Sequence, residues 1–340
     1  MKCSKKIEAA PLRLKTDSFV VESNVHFPTD YNLLWDCARK SLDVIDYFTN
    51  TYQHIKGWRK IKNWRWKMKS NMRSVGRISA KGGANKEQRL KDAVTKYLEN
   101  ARELLEKLVQ TKPYLPVEEI KDMIYMLEFD RFMVLFDKHI DLLERRIIKG
   151  ETIPHQEKLF SIFETYTEMI KKGKQHPNVE LGKNVAITTD QYHLIIDYRI
   201  MEHQTDSQIV LPVAEDVLGK YKVSQWSYDR GFYNKIVQSE LSRQVPKVVM
   251  QKKGKCNQME KEQESERGFV RARNQHNAIE SNINELENRG LDRCPDRGYP
   301  HLHRYIALAV CAYNIRRIGA RLLAQDREKL DQAQSSAKRA

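Results

Sequence analysis

Apolar positions recur at helical spacing through the middle of the chain. Leu90, Ala93, Val94, Tyr97, Leu98, Ala101, Leu105 and Leu108 form one stripe. The stripe predicts a long helix from about Lys86, brought to an end by Pro113 and Pro116. A second long helix is predicted over about 117–149, with Ile120, Ile124, Leu127, Val134 and Leu142 as its apolar positions. With a helix near 31–55 and a shorter one near 154–171, residues 31–175 read as all-helical. The flanks follow a different period. Residues 12–27 are rich in β-formers, and Pro28-Thr29-Asp30 marks a break with a helix-capping acid. Leu194, Ile196, Tyr198 and Ile200 alternate along one arm of a hairpin predicted over 184–201, its turn near Thr189-Asp190-Gln191. Asp206 is read as the cap of a helix running to about Lys220, and Val223 to Tyr228 as another strand. A helix over about 266–288 is stopped by Gly290, and a last buried helix follows Pro300, with Cys311 as a core thiol. The tail after about Gln325 reads as low in complexity and frayed. A strand, hairpin, helix, strand, helix frame is therefore expected, interrupted by a helical block.

Charge changes this picture most. Lys+Arg 60 against Asp+Glu 45 leaves +15, which points to a polyanionic partner. From Lys56 to Lys91 there are thirteen basic residues and one acid, Glu87, with Trp58, Trp64 and Trp66 among them. Cations in such a tract neutralise phosphates and release counterions, and a tryptophan can stack on an unpaired base. The competing reading is a solvated loop whose tryptophans pack on neighbouring helices. The longest apolar run, Tyr305 to Tyr313, is nine residues, against about twenty needed to span a bilayer. No apolar signal-peptide core follows the first residues. Five scattered cysteines (Cys3, Cys37, Cys256, Cys294, Cys311) without a CxxC pair suit a reducing compartment. A cytoplasmic protein with no membrane partner is expected.

Three acids stand out by position. Asp17 lies inside the first strand, Asp229 ends a later one in Tyr228-Asp229-Arg230-Gly231-Phe232, and Glu280 sits within a helix. Strands disfavour Asp, and a half-buried carboxylate needs a partner. Converging carboxylates meet that need by holding Mg²⁺, which takes oxygen ligands and keeps several waters. Two such ions about 4 Å apart support phosphodiester chemistry. Around Glu280, the residues Arg273, His276, Asn284 and Glu287 make a polar stripe opposite Ala272, Ile279, Ile283 and Leu286. Asp190 and Asp206 are rival metal acids, one in a turn and one at a cap. Cys294, His301 and His303 match no common zinc spacing. Periodicity alone leaves each acid free to be an ordinary solvated side chain.

These segments resemble bacterial insertion-sequence transposases of the DDE class, whose catalytic domain has a ribonuclease H-like fold. Asp17-Ser18-Phe19-Val20-Val21-Glu22 leads into His26-Phe27-Pro28-Thr29-Asp30 and Leu33-Leu34-Trp35. Glu157-Lys158-Leu159-Phe160-Ser161-Ile162-Phe163-Glu164 follows, then Lys172-Gly173-Lys174 and Glu180-Leu181-Gly182. The last stretch runs from Arg271-Ala272-Arg273-Asn274-Gln275-His276-Asn277-Ala278-Ile279-Glu280-Ser281 to Arg289-Gly290-Leu291-Asp292-Arg293-Cys294. These pieces, in order along residues 12–319, carry the likeness. In a related branch of these enzymes an aromatic stands seven before the last acid, an arginine four before it and a lysine seven after. Arg273, His276 and Glu287 occupy those positions here.

The resemblance implies an α/β fold: a ribonuclease H-like mixed sheet with flanking helices, interrupted by a large all-helical insertion after the first strand. Residues 1–30 and 180–322 would form the catalytic domain, 31–179 the insertion with its basic tract, and 323–340 a tail. Asp17, Asp229 and Glu280 would be the catalytic acids and the ligands of Mg²⁺ or Mn²⁺, two ions in all. DNA contacts are expected from Lys56, Arg59, Lys60, Lys62, Trp64, Arg65, Trp66, Lys67, Lys69, Arg73 and Arg77, and from Arg271, Arg273, His276 and Asn284. The implied activity is cleavage at element ends, followed by transfer of the 3′-hydroxyl into target DNA. Its partners would be double-stranded DNA, a second copy of the chain in the DNA complex, and a separately encoded N-terminal DNA-binding portion, all associated with the nucleoid. An inactive DNA-binding remnant and a structure-specific nuclease on the same fold are the alternatives.

Overall fold

Residues 12–17 alternate between a more buried and a more exposed set and Phe19–Val21 are buried throughout, and all belong to strand β1 (Leu12–Ser23) at the centre of a mixed sheet. The computed structural model describes residues 10–171 and 178–337; the Lys172-Gly173-Lys174 piece lies outside them. The chain divides into two compact units, one made of the chain up to Asn24 and from Glu168 onward, the other Val25–Thr167. No helix among the described residues is long and apolar enough to cross a membrane.

In the first unit, β1 pairs antiparallel with β3 (Val179–Thr189), which also pairs antiparallel with β2 (Glu168–Lys171) and β4 (Ile195–Ile200). On its other edge β1 runs parallel to β5 (Val223–Tyr228), and β5 to β6 (Val248–Met250). The short β7 (Arg293–Cys294) pairs parallel with the end of β1. Leu14 joins a core cluster with Trp226, Tyr228 and the apolar side of α5 (Asp206–Leu218). Beside it, the Trp226 indole N–H donates to Thr16 Oγ1 at 2.8 Å. Side chains alternate along a strand, so Arg13, Lys15 and Asp17 stand on the opposite face, the one approached by α8 (Arg267–His276) and α9 (Ala278–Leu286). Helices α6 (Lys235–Gln244), α7 (Gln258–Ser265) and α10 (Tyr299–Ala337) complete the unit.

Several sequence expectations are corrected here. The helix expected over 154–171 is absent: a single 3-10 turn at His155–Glu157 is followed by β2, because Glu168–Lys171 finds a ladder on β3. Tertiary pairing outweighs local propensity in a segment this short. Thr205, whose side chain forms a capping box with Gln208, caps α5, and Asp206 is its first helical residue. The helix expected over 266–288 breaks at Asn277 into α8 and α9. Gly290, at φ 103°, stands where the sequence puts a helix stop. Helix α10 continues past Gln325 to Ala337 rather than fraying, and Cys311 is exposed on it rather than buried.

The second unit holds α1 (Asp30–Thr51), α2 (Ile61–Ala80), α3 (Lys86–Thr111) and α4 (Ile120–Leu143). Thr29 caps α1, its side chain accepting from the Asn32 N–H. On α3 the predicted stripe is the buried one, through Val94, Tyr97, Leu98, Ala101 and Leu108. On α4 it is not. Ile120, Ile124, Leu127 and Val134 are exposed, and Phe129, Phe132, Phe136, Ile140 and Leu143 face the core. Both faces are apolar, and the phenylalanine face buries the larger area. Asp122 is fully buried and accepts from Tyr47 and Tyr52 hydroxyls at 2.8 and 2.5 Å and from the Glu118 and Glu119 N–H groups. The Tyr52 bond leads the causes that lower its carboxyl to about 2, against the opposing effect of burial.

Candidate active site and nucleic-acid interface

The register of β1 on β5 ends at Thr16 opposite Tyr228. Asp17 is the next residue of β1 and Asp229 the first residue after β5. Asp17 is half-buried and its Oδ1 accepts the Ser18 N–H at 2.7 Å; Asp229 is exposed. The Ser18 hydroxyl, on the α5 side of the sheet, donates to Asp206 Oδ1 at 2.8 Å. This bond draws the N-terminus of α5 toward the same end of β1. A β-carbon on Gly231 would lie 3.0 Å from Asp206 Oδ2 and 3.8 Å from Asp229 Oδ2. The missing side chain therefore leaves open a space that both carboxylates border.

Glu280 is exposed on α9, and among the described residues it forms no group with Asp17 and Asp229 that could hold a metal ion. His276, one turn before Glu280, is 8% exposed, and its Nδ1 lies 3.1 Å from the Ser227 hydroxyl, two residues before Asp229. Burial pushes this imidazole down to about 4, partly opposed by the charge of Asp229. His276 was expected to face a DNA strand; it is instead an internal anchor of α8 on β5. Helix α9 buries Ile279, Asn282, Ile283 and Leu286, which turns Glu280 and Asn284 outward. Asn282 Oδ1 meets His193 Nδ1 at 3.1 Å, fixing α9 to the β3–β4 turn. Asp190 belongs to that turn: its Oδ1 accepts the Tyr192 and Leu194 N–H groups, so its carboxylate is occupied structurally.

Among the described residues, no three His, Cys, Asp or Glu side chains form a group that could hold a metal ion. The cradle beside Gly231 nevertheless offers oxygen donors from Asp206 and Asp229, the hard chemistry that Mg²⁺ takes while keeping its remaining waters. In this donor set the residues fit the ion. The sequence offers Asp206 as a helix cap and as a rival metal acid; the fold brings it beside Asp229.

The basic tract is mostly helix. Lys56, Arg59 and Lys60 are exposed ahead of α2. Lys62, Trp66, Lys69, Arg73 and Arg77 then recur at intervals of four, three, four and four, one exposed face opposite buried Ile61, Met68 and Val75. Trp66 is 73% exposed. The tryptophans divide between the two expectations. Trp58 is buried, its indole N–H donating to Thr111 Oγ1 at 3.0 Å, and half-buried Trp64 lies under Lys67. Arg65 pairs with Asp43 and Asp46, and Lys67 with Glu103. Those two cations are partly neutralised within the unit. Arg271 is exposed and Arg273 half-buried on α8.

Comparisons with protein-family models, with curated proteins and with solved structures return no match to this chain.

Proposed function

We propose that this chain is a DNA transposase of the DDE class, acting through a ribonuclease H-like domain interrupted by the helical unit. The observation that carries the reading is the parallel register of β1 on β5, whose last pair, Thr16 and Tyr228, immediately precedes Asp17 and Asp229. The order of strand, antiparallel hairpin, helix and parallel strand supports the fold assignment. Asp17, Asp229 and Glu280 would hold Mg²⁺ or Mn²⁺, with Asp206 at the border of the same space. Bound divalent ions would activate the attacking oxygen and stabilise the leaving one in an in-line displacement. The chain's own contribution is to aim the carboxylates, through the Ser18–Asp206 and Ser227–His276 contacts, and to hold DNA through exposed cations. Cleavage would free a 3′-hydroxyl at an element end, which then attacks target DNA.

The test is cleavage of DNA, a supercoiled plasmid or a pre-nicked end substrate, with Mg²⁺ or Mn²⁺. The wild type should cut, and Asp17→Asn should abolish cutting while DNA affinity is kept. Full activity in Asp17→Asn removes the assignment. DNA binding with no cutting by the wild type identifies a remnant, and cutting of branched DNA without strand transfer identifies a nuclease.

A further inference from the structure

Two adjoining cavities lie along α8, and no acid lines either of them. The first, about 600 Å³, is lined by Arg267, Arg271, Asn274 and Gln275 together with Ser265 and Val270. The second, about 250 Å³, shares Asn274 and Gln275 and adds Arg13 and Lys15 of β1, with further amides and His193 around them. On α8 the residues Arg267, Arg271 and Asn274 are spaced i, i+4 and i+7, so one helix face supplies the first cavity. On β1, Arg13 and Lys15 share the face that continues to Asp17 two residues on. Cations and amides thus run from the start of α8 to the strand that carries the first candidate catalytic acid.

We propose that this groove binds a phosphodiester strand of DNA and leads it to Asp17. Guanidinium and ammonium groups meet the phosphates, while Asn274 and Gln275 offer both donors and acceptors to sugar and base edges. The length agrees. From Arg267 to Gln275 α8 advances about 12 Å, a length that one strand of a duplex covers in three or four nucleotides along the axis, at about 3.4 Å of rise each. Half-buried Lys15 brings a cation to the end of the groove nearest Asp17. The choice of DNA over another polyanion rests on the transposase reading; the groove itself does not.

The test is fluorescence anisotropy with labelled single-stranded and duplex DNA, without divalent ions, over a range of salt concentrations. Arg267→Gln with Arg271→Gln should weaken binding about tenfold and flatten the slope of log affinity against log salt by about two; Lys15→Gln should flatten it by about one. Asn274→Ala with Gln275→Ala should weaken binding and leave the slope unchanged, since no charge is removed. Circular dichroism confirms that the variants fold. The proposal is overturned if the cation variants keep wild-type affinity and slope, or if the wild type does not bind DNA. Loss of cutting in Asp17→Asn is read separately with Mg²⁺, so the groove and the catalytic assignment fail independently.

Discussion

His276 Nδ1 lies 3.1 Å from the Ser227 hydroxyl, and that hydroxyl donates in turn to the Leu14 carbonyl at 3.3 Å. A serine has one proton to give. With it spent on Leu14, Nδ1 of His276 is the donor and Nε2 the bare acceptor of a neutral ring. One buried point therefore ties β1, β5 and the helix leading to Glu280. Ser227→Ala strands the Nδ1–H in the interior and should cost about 1–3 kcal/mol in urea unfolding of the sheet-bearing unit. An unchanged midpoint would remove this anchor from the account.

Gly231→Ala probes the space between two carboxylates. The new methyl would stand 3.0 Å from Asp206 Oδ2, tight enough to displace that side chain but not the backbone. Thermal stability should change little, DNA affinity should hold, and Mg²⁺-dependent cutting should fall by about tenfold or more, the loss expected when a positioned group is displaced. Wild-type cutting in this variant would show that the cradle is not used.

The two outer tryptophans of the tract should separate cleanly. Trp58→Ala opens a buried volume in the helical unit and should cost about 3–5 kcal/mol. Trp66→Ala, on the cationic face of α2, should leave stability unchanged and weaken single-stranded DNA binding by about 1–3 kcal/mol. Melting curves and anisotropy measure the two effects side by side.

His139 gives the helical unit a pH dependence. It is fully buried, and neither ring nitrogen has a partner among the described residues. Burial lowers it to about 4 from an ordinary 6.5, helped by Lys138. The unfolded chain therefore takes up the proton first. The stability this neutral ring preserves is complete above about pH 6.5 and is lost as pH falls toward 4, by up to about 1.4 kcal/mol per unit. His139→Leu should flatten that decline and be neutral or stabilising at pH 7, since a buried unpaired N–H is removed. Urea unfolding at pH 7 and pH 5 checks both statements.

Elements whose pattern was one-sided were legible in the sequence: the strand Val223–Tyr228, the hairpin arms and the buried face of α3. Helix α4 was not, because apolar residues occupy both its faces and periodicity cannot say which one the phenylalanines claim. Glu168–Lys171 failed for a different reason: its ladder partner lies beyond the segment itself. Among the candidate site residues, Asp17 and Asp229 were proposed from acids at strand positions. Asp206 was weighed only as a rival, because its position at the start of a helix reads equally as a cap, and Gly231 carries no mark at all, since a loop glycine is ordinary until the fold sets it beside Asp206 and Asp229. His276 is four residues after Ala272 and three before Ile279, so helical spacing sets it on their buried face; grouping it with the polar residues went by its polarity rather than its spacing.

Direct binding of Mn²⁺, followed by electron paramagnetic resonance in the wild type and in Asp17→Asn, Asp229→Asn and Glu280→Gln, tests whether the three acids share divalent ions. The account predicts saturable binding by the wild type that each substitution weakens by about tenfold or more, as loss of a charged ligand does. Equal Mn²⁺ affinity in all four folded proteins would contradict it.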